Sequence, residues 1–451
     1  MNGKTEELRK LSRIFWRELF VLALSVLTGF ALLLAAFSLP TERIWKHVSD
    51  SANMLIQETS YFSITPGVGG SLLDNVTEAL YLNEALVGKE DGLIRAALSG
   101  FTYASTKLES GGTVKHLQAS ALDKDHTVKR PSQVRFWNGY EVFLKPFLEF
   151  TDYAHIRQIH LLAQSLMTLF LLALMEKRGL LQYRLPLCIT YLFMNPVTLG
   201  MCMTFAGFTY CIFIPCIVMS LFHERLRVGR RYWIFFEIIG ICAIYFNMNY
   251  FQLLSFGIPL TFYYLLGEWP QTWKALFRTA TPLFLSWLFG FAAMMAAKWA
   301  LYAVFVDSSV FGIVWEDILF RTSGSNLVSS TLVRLGIPDG LLKNLLMRML
   351  SVAKNCLEIL KNPAFLLVEF AFIWHCASRI LPRNVRFAAY AAEFRLTALA
   401  TFLTLARYLI LANHTNIHYW ATYRLFAAPL FCFNVMLASM ASGGNGHAEV
   451  S

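Results

Sequence analysis

Long apolar runs broken by short polar stretches dominate the pattern of this chain. A helix that crosses a bilayer needs about 20 consecutive apolar residues. Runs of this kind lie at 18–39, 158–175, 185–202, 206–222, 232–248, 251–267, 280–304, 362–379, 390–412 and 421–441. Only Asn195-Pro196 and Asn247-Met248-Asn249 separate some of the middle runs. Such brief polar breaks mark tight turns or short re-entrant segments. The pattern predicts an all-α polytopic membrane protein with about ten transmembrane helices and a large external first loop.

Basic residues sort onto one side of this layout. Lys177, Arg178 and Arg184, then Arg225, Arg227, Arg230 and Arg231, then Lys274 and Arg278, then Arg379, Arg383 and Arg386 all fall on the side of the N-terminus. That terminus is itself basic, with Lys4, Arg9, Lys10, Arg13 and Arg17 ahead of the first run. Short cytoplasmic loops carry such an excess. Both ends are therefore expected in the cytoplasm. The first apolar stretch, 19–39, is longer than a signal-peptide core and no clear small-residue cleavage site follows it, which predicts a retained anchor. The expected layout is a cytoplasmic N-terminus (1–17), a first span (18–39), an external subdomain (41–157), further spans (158–304), a second external segment (305–361), the last spans (362–441) and a cytoplasmic tail (442–451). A bacterial plasma membrane is the expected location.

The external segments differ in character. Residues 108–130 are mostly polar and are expected to form a mobile loop. At 100° per residue, Lys343, Asn344, Arg348, Lys354, Asn355, Glu358 and Lys361 fall within an arc of roughly 140°. Leu342, Leu345, Leu346, Met349, Val352, Ala353 and Leu360 take the other side, and Asp339 is placed to cap the helix. The pattern fits an amphipathic helix over 340–360 lying at the membrane surface with its basic face to lipid headgroups, and equally a helix packed under the outer subdomain.

Composition agrees with membrane residence. Of 451 residues, 56% are hydrophobic and only 15% charged, and mean hydropathy is +0.49. Soluble domains carry closer to about a quarter charged residues. The net charge of +10 comes from clusters beside apolar runs, which argues against nucleic acid as a partner. The eight cysteines show no zinc or disulfide spacing. There is no Walker loop, G-x-G-x-x-G, G-x-S-x-G or H-E-x-x-H, so an ATP-driven pump is not expected.

Three stretches carry candidate chemistry. In Pro66-Gly67-Val68-Gly69-Gly70-Ser71-Leu72-Leu73-Asp74-Asn75-Val76-Thr77-Glu78 a glycine-rich turn leads into a helix on which Asp74 and Glu78 share a face. Paired acids raise each other's pKa and suit general-base work; the same spacing also fits an N-cap followed by a solvated acid. In the second, Arg135, Trp137, Tyr140 and Lys145 alternate cations with aromatics, followed by Asp152, His155 and Arg157. Cations there can hold phosphate and aromatic faces suit sugar rings, although an interfacial aromatic belt has the same composition. In the third, His414 and His418 lie one helical turn apart, an acceptable metal spacing with no third ligand evident, so no cofactor is evident and a divalent metal stays open without further support. Arg424, Arg407 and Lys298 are intramembrane cations with no nearby acid in sequence. They point to an anion-binding cavity or to ion pairs across the bundle.

With these stretches, the organisation resembles the GT-C class of membrane glycosyltransferases. The resemblance rests on topology and on the segments around Asp74, around Arg135-Phe136-Trp137-Asn138-Gly139-Tyr140 and from Asn413 to Arg424. It implies transfer of a sugar from a polyprenyl-phosphate carrier to a glycan or glycopolymer acceptor of the cell envelope, with inverting or retaining stereochemistry open. The class acid lies early in the first external loop, where Asp50 competes with Asp74. The glycine-rich approach favours Asp74. Asp74 or Glu78 would then serve as base, while Arg135, Arg407 and Arg424 would neutralise the departing carrier phosphate. The lipid tail would enter between spans, guided by the helix over 340–360. The rival from another class is a secondary transporter or flippase for an anionic or lipid-linked substrate, against which no internal repeat is visible. A lipid-binding scaffold without chemistry is a third reading.

Overall fold

The computed structural model describes residues 2–108, 111–131, 133–246, 250–323, 340–383 and 386–443. Helix α1 (Asn2–Phe37) leads into a subdomain built from α2 (Glu42–Glu58), α3 (Asn75–Glu84), α4 (Leu93–Ser99), β1 (Phe101–Ser105), α5 (Thr113–Leu122), β2 (Thr127–Pro131) and α6 (Glu141–Leu148). The two strands pair antiparallel, with Tyr103 opposite Lys129. The stretch expected to be a mobile loop is thus largely folded. Val114, Leu117 and Ser120 of α5 are buried, and the Ser120 hydroxyl donates to the Tyr103 carbonyl. The polar composition there reflects one wet face of a thin layer.

The bundle follows: α7 (Tyr153–Lys177), α8 (Arg184–Phe193), α9 (Pro196–Met201), α10 (Met203–Leu226), α11 (Arg231–Tyr245), α12 (Leu254–Leu266) and α13 (Trp273–Phe305). After α14 (Val310–Thr322) come α15 (Leu341–Leu360), α16 (Pro363–Ile380), α17 (Ala391–Ile410), α18 (Ala412–Ile417), α19 (Tyr419–Thr422) and α20 (Ala427–Ser442). Among the described residues, six helical segments are long and apolar enough to cross a membrane: Ser12–Phe37, Tyr153–Lys177, Met203–Leu226, Trp273–Phe305, Pro363–Arg383 and Tyr419–Ser442. The chain is a helical membrane protein.

The other runs expected to span form shorter or more polar helices. The 185–202 run breaks at Asn195, which adopts φ 61° and caps α9 by accepting the Thr198 N–H, with Pro196 in the first turn. Helix α11 has 15 residues and α12 has 13, short of the about 30 Å that a bilayer core demands at 1.5 Å per residue. Helix α17 is long enough but carries Glu393, Arg395 and Arg407. The second polar break, 247–249, lies outside the described residues, as do Asp339 and the tail from 444.

Helix α15 also turns differently from the expectation of a basic face toward lipid. Its polar stripe faces the protein: Lys354 donates to Asn416, Arg348 to the carbonyls of Thr322 and Leu409, and Glu358 accepts the Gly70 N–H at 3.1 Å. Leu342, Leu345, Met349 and Leu360 are exposed instead. Many buried carbonyl and amide partners outcompete water for the polar stripe.

A close backbone approach joins α11 to α13. A Cβ on Gly240 would lie 2.0 Å from the Trp287 carbonyl oxygen, and one on Gly290 would lie 2.3 Å from that of Glu237. Gly240→Ala is therefore expected to force the two helices apart and to destabilise the protein by roughly 1–3 kcal/mol. A lower melting temperature in detergent checks this, and an unchanged one contradicts the contact.

Candidate functional site

Asp74 is the N-cap of α3, accepting the Thr77 N–H and hydroxyl at 3.2 and 2.6 Å. The loop before it, 63–73, folds back onto the bundle. The Gly69 N–H donates to the Lys361 carbonyl, and Arg424 donates to the Gly70 carbonyl at 2.7 Å. Gly70 has φ +73°, and a Cβ there would strike the Tyr423 hydroxyl, so no other residue fits this turn without strain. The result buries Asp74 to 2% exposure, whereas Asp50 is exposed on α2.

The second partner of Asp74 is Tyr250, whose hydroxyl donates to its carboxylate at 2.7 Å. Burial pushes the Asp74 carboxyl above its ordinary range, partly offset by the bonds from Thr77 and Tyr250. The Tyr250 ring stacks on His414 at 5.6 Å and meets His418 edge-on at 4.9 Å. Its carbonyl accepts from Arg407 at 2.9 Å. One tyrosine thus joins the carboxylate to a pair of imidazoles and a guanidinium.

Around those imidazoles the cations gather. Arg321 donates to Nδ1 of His414 at 2.9 Å, which places the proton of a neutral His414 on Nε2. The same Arg321 pairs with Asp317 at 2.6 Å, and Arg135 approaches that carboxylate at 3.3 Å. Arg407 is 6% exposed. It donates to Thr415, and its Nε has no partner among the described residues. His418 is pushed down to about 4, first by burial and then by Arg321 and Arg407. Among the described residues three guanidiniums gather here near one ion-paired carboxylate, Asp317, an excess of positive charge in a partly dry place. Such a place favours an anion.

The remaining expected site residues sit elsewhere. The Glu78 carboxylate accepts the Met203 and Thr204 N–H groups at 2.9 and 2.8 Å and the Thr204 hydroxyl. It caps α10, the position that favours a negative charge, although burial raises its pKa. Arg424 is fully buried and donates to the carbonyls of Met194 and Gly70 at 2.7 Å. Phe205 lies against it at 4.9 Å and against Tyr250 at 5.8 Å, so Arg424 is one ring away from the cationic cluster and holds the loop before Asp74. Trp137 donates to the Met294 carbonyl and Lys298 to that of Leu98; both fasten the subdomain to α13. Tyr140 donates to Glu84, and Lys145 to the carbonyls of Ala85 and Val87. The interfacial aromatics and cations are thus structural staples.

Sequence reasoning missed Tyr250, Arg321 and Asp317. The spacing of Asp317 and Arg321, one helical turn apart, was a usable signal. Tyr250 carried none, because a lone tyrosine after a polar break is ordinary. Among the described residues no group of three or more His, Cys, Asp and Glu is placed to hold a metal ion. No family model matches the chain, and neither does any curated protein or solved structure.

The structural cluster gives a pH signature. Glu84 is raised from 4.5 to about 8, chiefly by burial. Between these values the folded protein holds a proton that the unfolded chain releases, so stability falls as pH rises through that window. Glu84→Gln is expected to flatten the decline in melting temperature between pH 4.5 and about 8; an unaltered slope contradicts the assignment.

Proposed function

We propose that the chain is a membrane glycosyltransferase of the GT-C kind, which moves a sugar from a polyprenyl-phosphate carrier to a cell-envelope acceptor. The reading places both termini in the cytoplasm, the subdomain outside, and α8–α9, α11, α12 and α17 as the shorter crossings of a bundle of about ten spans. The observation that carries it is the junction at Tyr250. A buried carboxylate lies at its hydroxyl end, while two histidines and the cations Arg321 and Arg407 lie around its ring and carbonyl.

In this reading the carrier phosphate sits among Arg321, Arg407 and Arg135. The acceptor hydroxyl approaches Asp74 from the side of Tyr61, which is 48% exposed and close enough to feel the Asp74 charge. The hydroxyl oxygen forms the new bond to the sugar's anomeric carbon as the bond from that carbon to the phosphate oxygen breaks. Asp74 takes the hydroxyl proton. The phosphate leaves with the electron pair, and the guanidiniums meet the charge that develops on it. A carboxyl whose pKa is raised by burial is a stronger base once ionised than a solvated one. Glu78 and Arg424 are positioning residues: one caps α10, the other holds the loop that carries Asp74.

The test uses the full chain in lipid vesicles supplied with polyprenyl-phosphate sugars. Asp74→Asn keeps the N-cap and is expected to lower transfer by about 10²–10⁴-fold. Arg407→Ala is expected to lower it by about 10²–10³-fold. Full transfer by Asp74→Asn overturns the proposal, and lost uptake of an anionic substrate with no transfer in the parent protein favours the transporter.

A further inference from the structure

A second polar group lies deep between helices and has no part in the site above. Glu237, on α11, is 0% exposed, and neither of its carboxylate oxygens has a hydrogen-bond partner among the described residues. An ionised carboxylate in that situation is several kcal/mol too costly to persist without a counter-charge. Its surroundings are specific. The Cβ position of Gly290 on α13 lies 3.1 Å from the Glu237 Cγ. One helical turn before Gly290 stands Ser286, 4% exposed, whose hydroxyl donates to the carboxylate of Glu18 on α1 at 2.7 Å. Glu18 is close enough to act electrostatically on Glu237. Two carboxylates and a hydroxyl from three helices therefore lie within about one helical turn of each other along α13, with one carboxylate orphaned.

The other described charged side chains on the elements packed against α11 form no hydrogen bond with the Glu237 carboxylate. These are Arg13 and Arg17 on α1, His223, Glu224 and Arg225 on α10, Arg230 in the turn before α11, and Lys274, Arg278 and Lys298 on α13. The acid held nearest by geometry, Glu18 through its bond from Ser286, has the wrong sign to neutralise it. The level in the bundle is also fixed. The Tyr245 hydroxyl meets the Gly29 carbonyl at 2.8 Å, and the Gly139 N–H meets the Tyr245 carbonyl at 3.0 Å. Glu237 precedes Tyr245 by eight residues, about 12 Å along the helix axis. The pair is therefore remote from the subdomain.

We propose that Glu18, Ser286 and Glu237 form a binding site for one small monovalent cation, a proton or a sodium ion, in the half of the bundle away from the subdomain. Intramembrane carboxylates that face a bundle interior mark ion or proton sites. These three side chains carry five oxygens between them, and the two of Glu237 have no other use among the described residues. A bound cation supplies the counter-charge that the described side chains do not. The close α11–α13 contact at Gly240 and Gly290 holds two of the ligands in register. The proposal is independent of the glycosyl-transfer reading.

The test is carbodiimide labelling of the full chain in lipid nanodiscs. Dicyclohexylcarbodiimide adds to a carboxylic acid that holds its proton in apolar surroundings, and the product is read by mass on the peptides bearing Glu18 and Glu237. Labelling of one of the two is expected at low pH and is expected to fall as pH rises. If sodium suppresses it at constant pH and potassium does not, the cation is sodium; if neither does, it is a proton. Glu237→Gln is expected to abolish any shift of the melting temperature with sodium or pH that belongs to this site. If that variant does not fold, Ser286→Ala is compared in the same way, with a weaker cation effect expected. Absence of labelling at both carboxyls at every pH, or labelling indifferent to pH, sodium and both substitutions, overturns the proposal.

Discussion

Charged groups buried among helices must find partners, because removal from water costs several kcal/mol per ion. In this protein the partner that recurs is the main-chain carbonyl released where a helix breaks. Arg424 takes the carbonyl of Met194, just ahead of the break at Asn195, and that of Gly70 in the turn before Asp74. Arg407 takes the carbonyl of Tyr250, at the start of the segment that leads into α12. The broken helices and the buried guanidiniums thus explain each other: a continuous helix would offer those carbonyls to itself.

That arrangement determines where the candidate site lies. By tying the glycine-rich turn to α15 and to Arg424, it carries Asp74 inward until the Tyr250 hydroxyl reaches it. The same tyrosine is held from behind by Arg407. Glu78, one turn along α3, binds the first turn of α10 and fixes the angle at which the subdomain meets the bundle. Displacing any of these contacts would move the carboxylate relative to the cations, so the reading of function depends on this frame.

Much of this was legible in the sequence, and the failures have physical causes. Apolar runs gave the membrane class, and the glycines before Asp74 gave a turn that folds it over the bundle. The number of spans was less readable, because α11 and α12 are mostly apolar yet have only 15 and 13 residues, and hydropathy does not register length lost to a break such as Asn195. The amphipathic pattern of α15 gave the helix but not its orientation, since a polar stripe can face carbonyls and amides as well as water. Arg424 was singled out as an intramembrane cation, and its partners proved to be carbonyls that no pattern of side chains announces. Tyr250 was invisible because its importance arises wholly from the neighbours that the fold brings to it.

The central claim is that an anionic headgroup is held beside Asp74 by Arg321, Arg407 and Arg135. The most direct measurement compares the affinity of the purified protein for a polyprenyl phosphate and for the uncharged prenol of the same chain. The account predicts tighter binding of the phosphate, by about 1.5–3 kcal/mol for each charged hydrogen bond gained, with the difference shrinking in Arg407→Ala and Arg321→Ala. Equal affinity for the phosphate and the alcohol would contradict it.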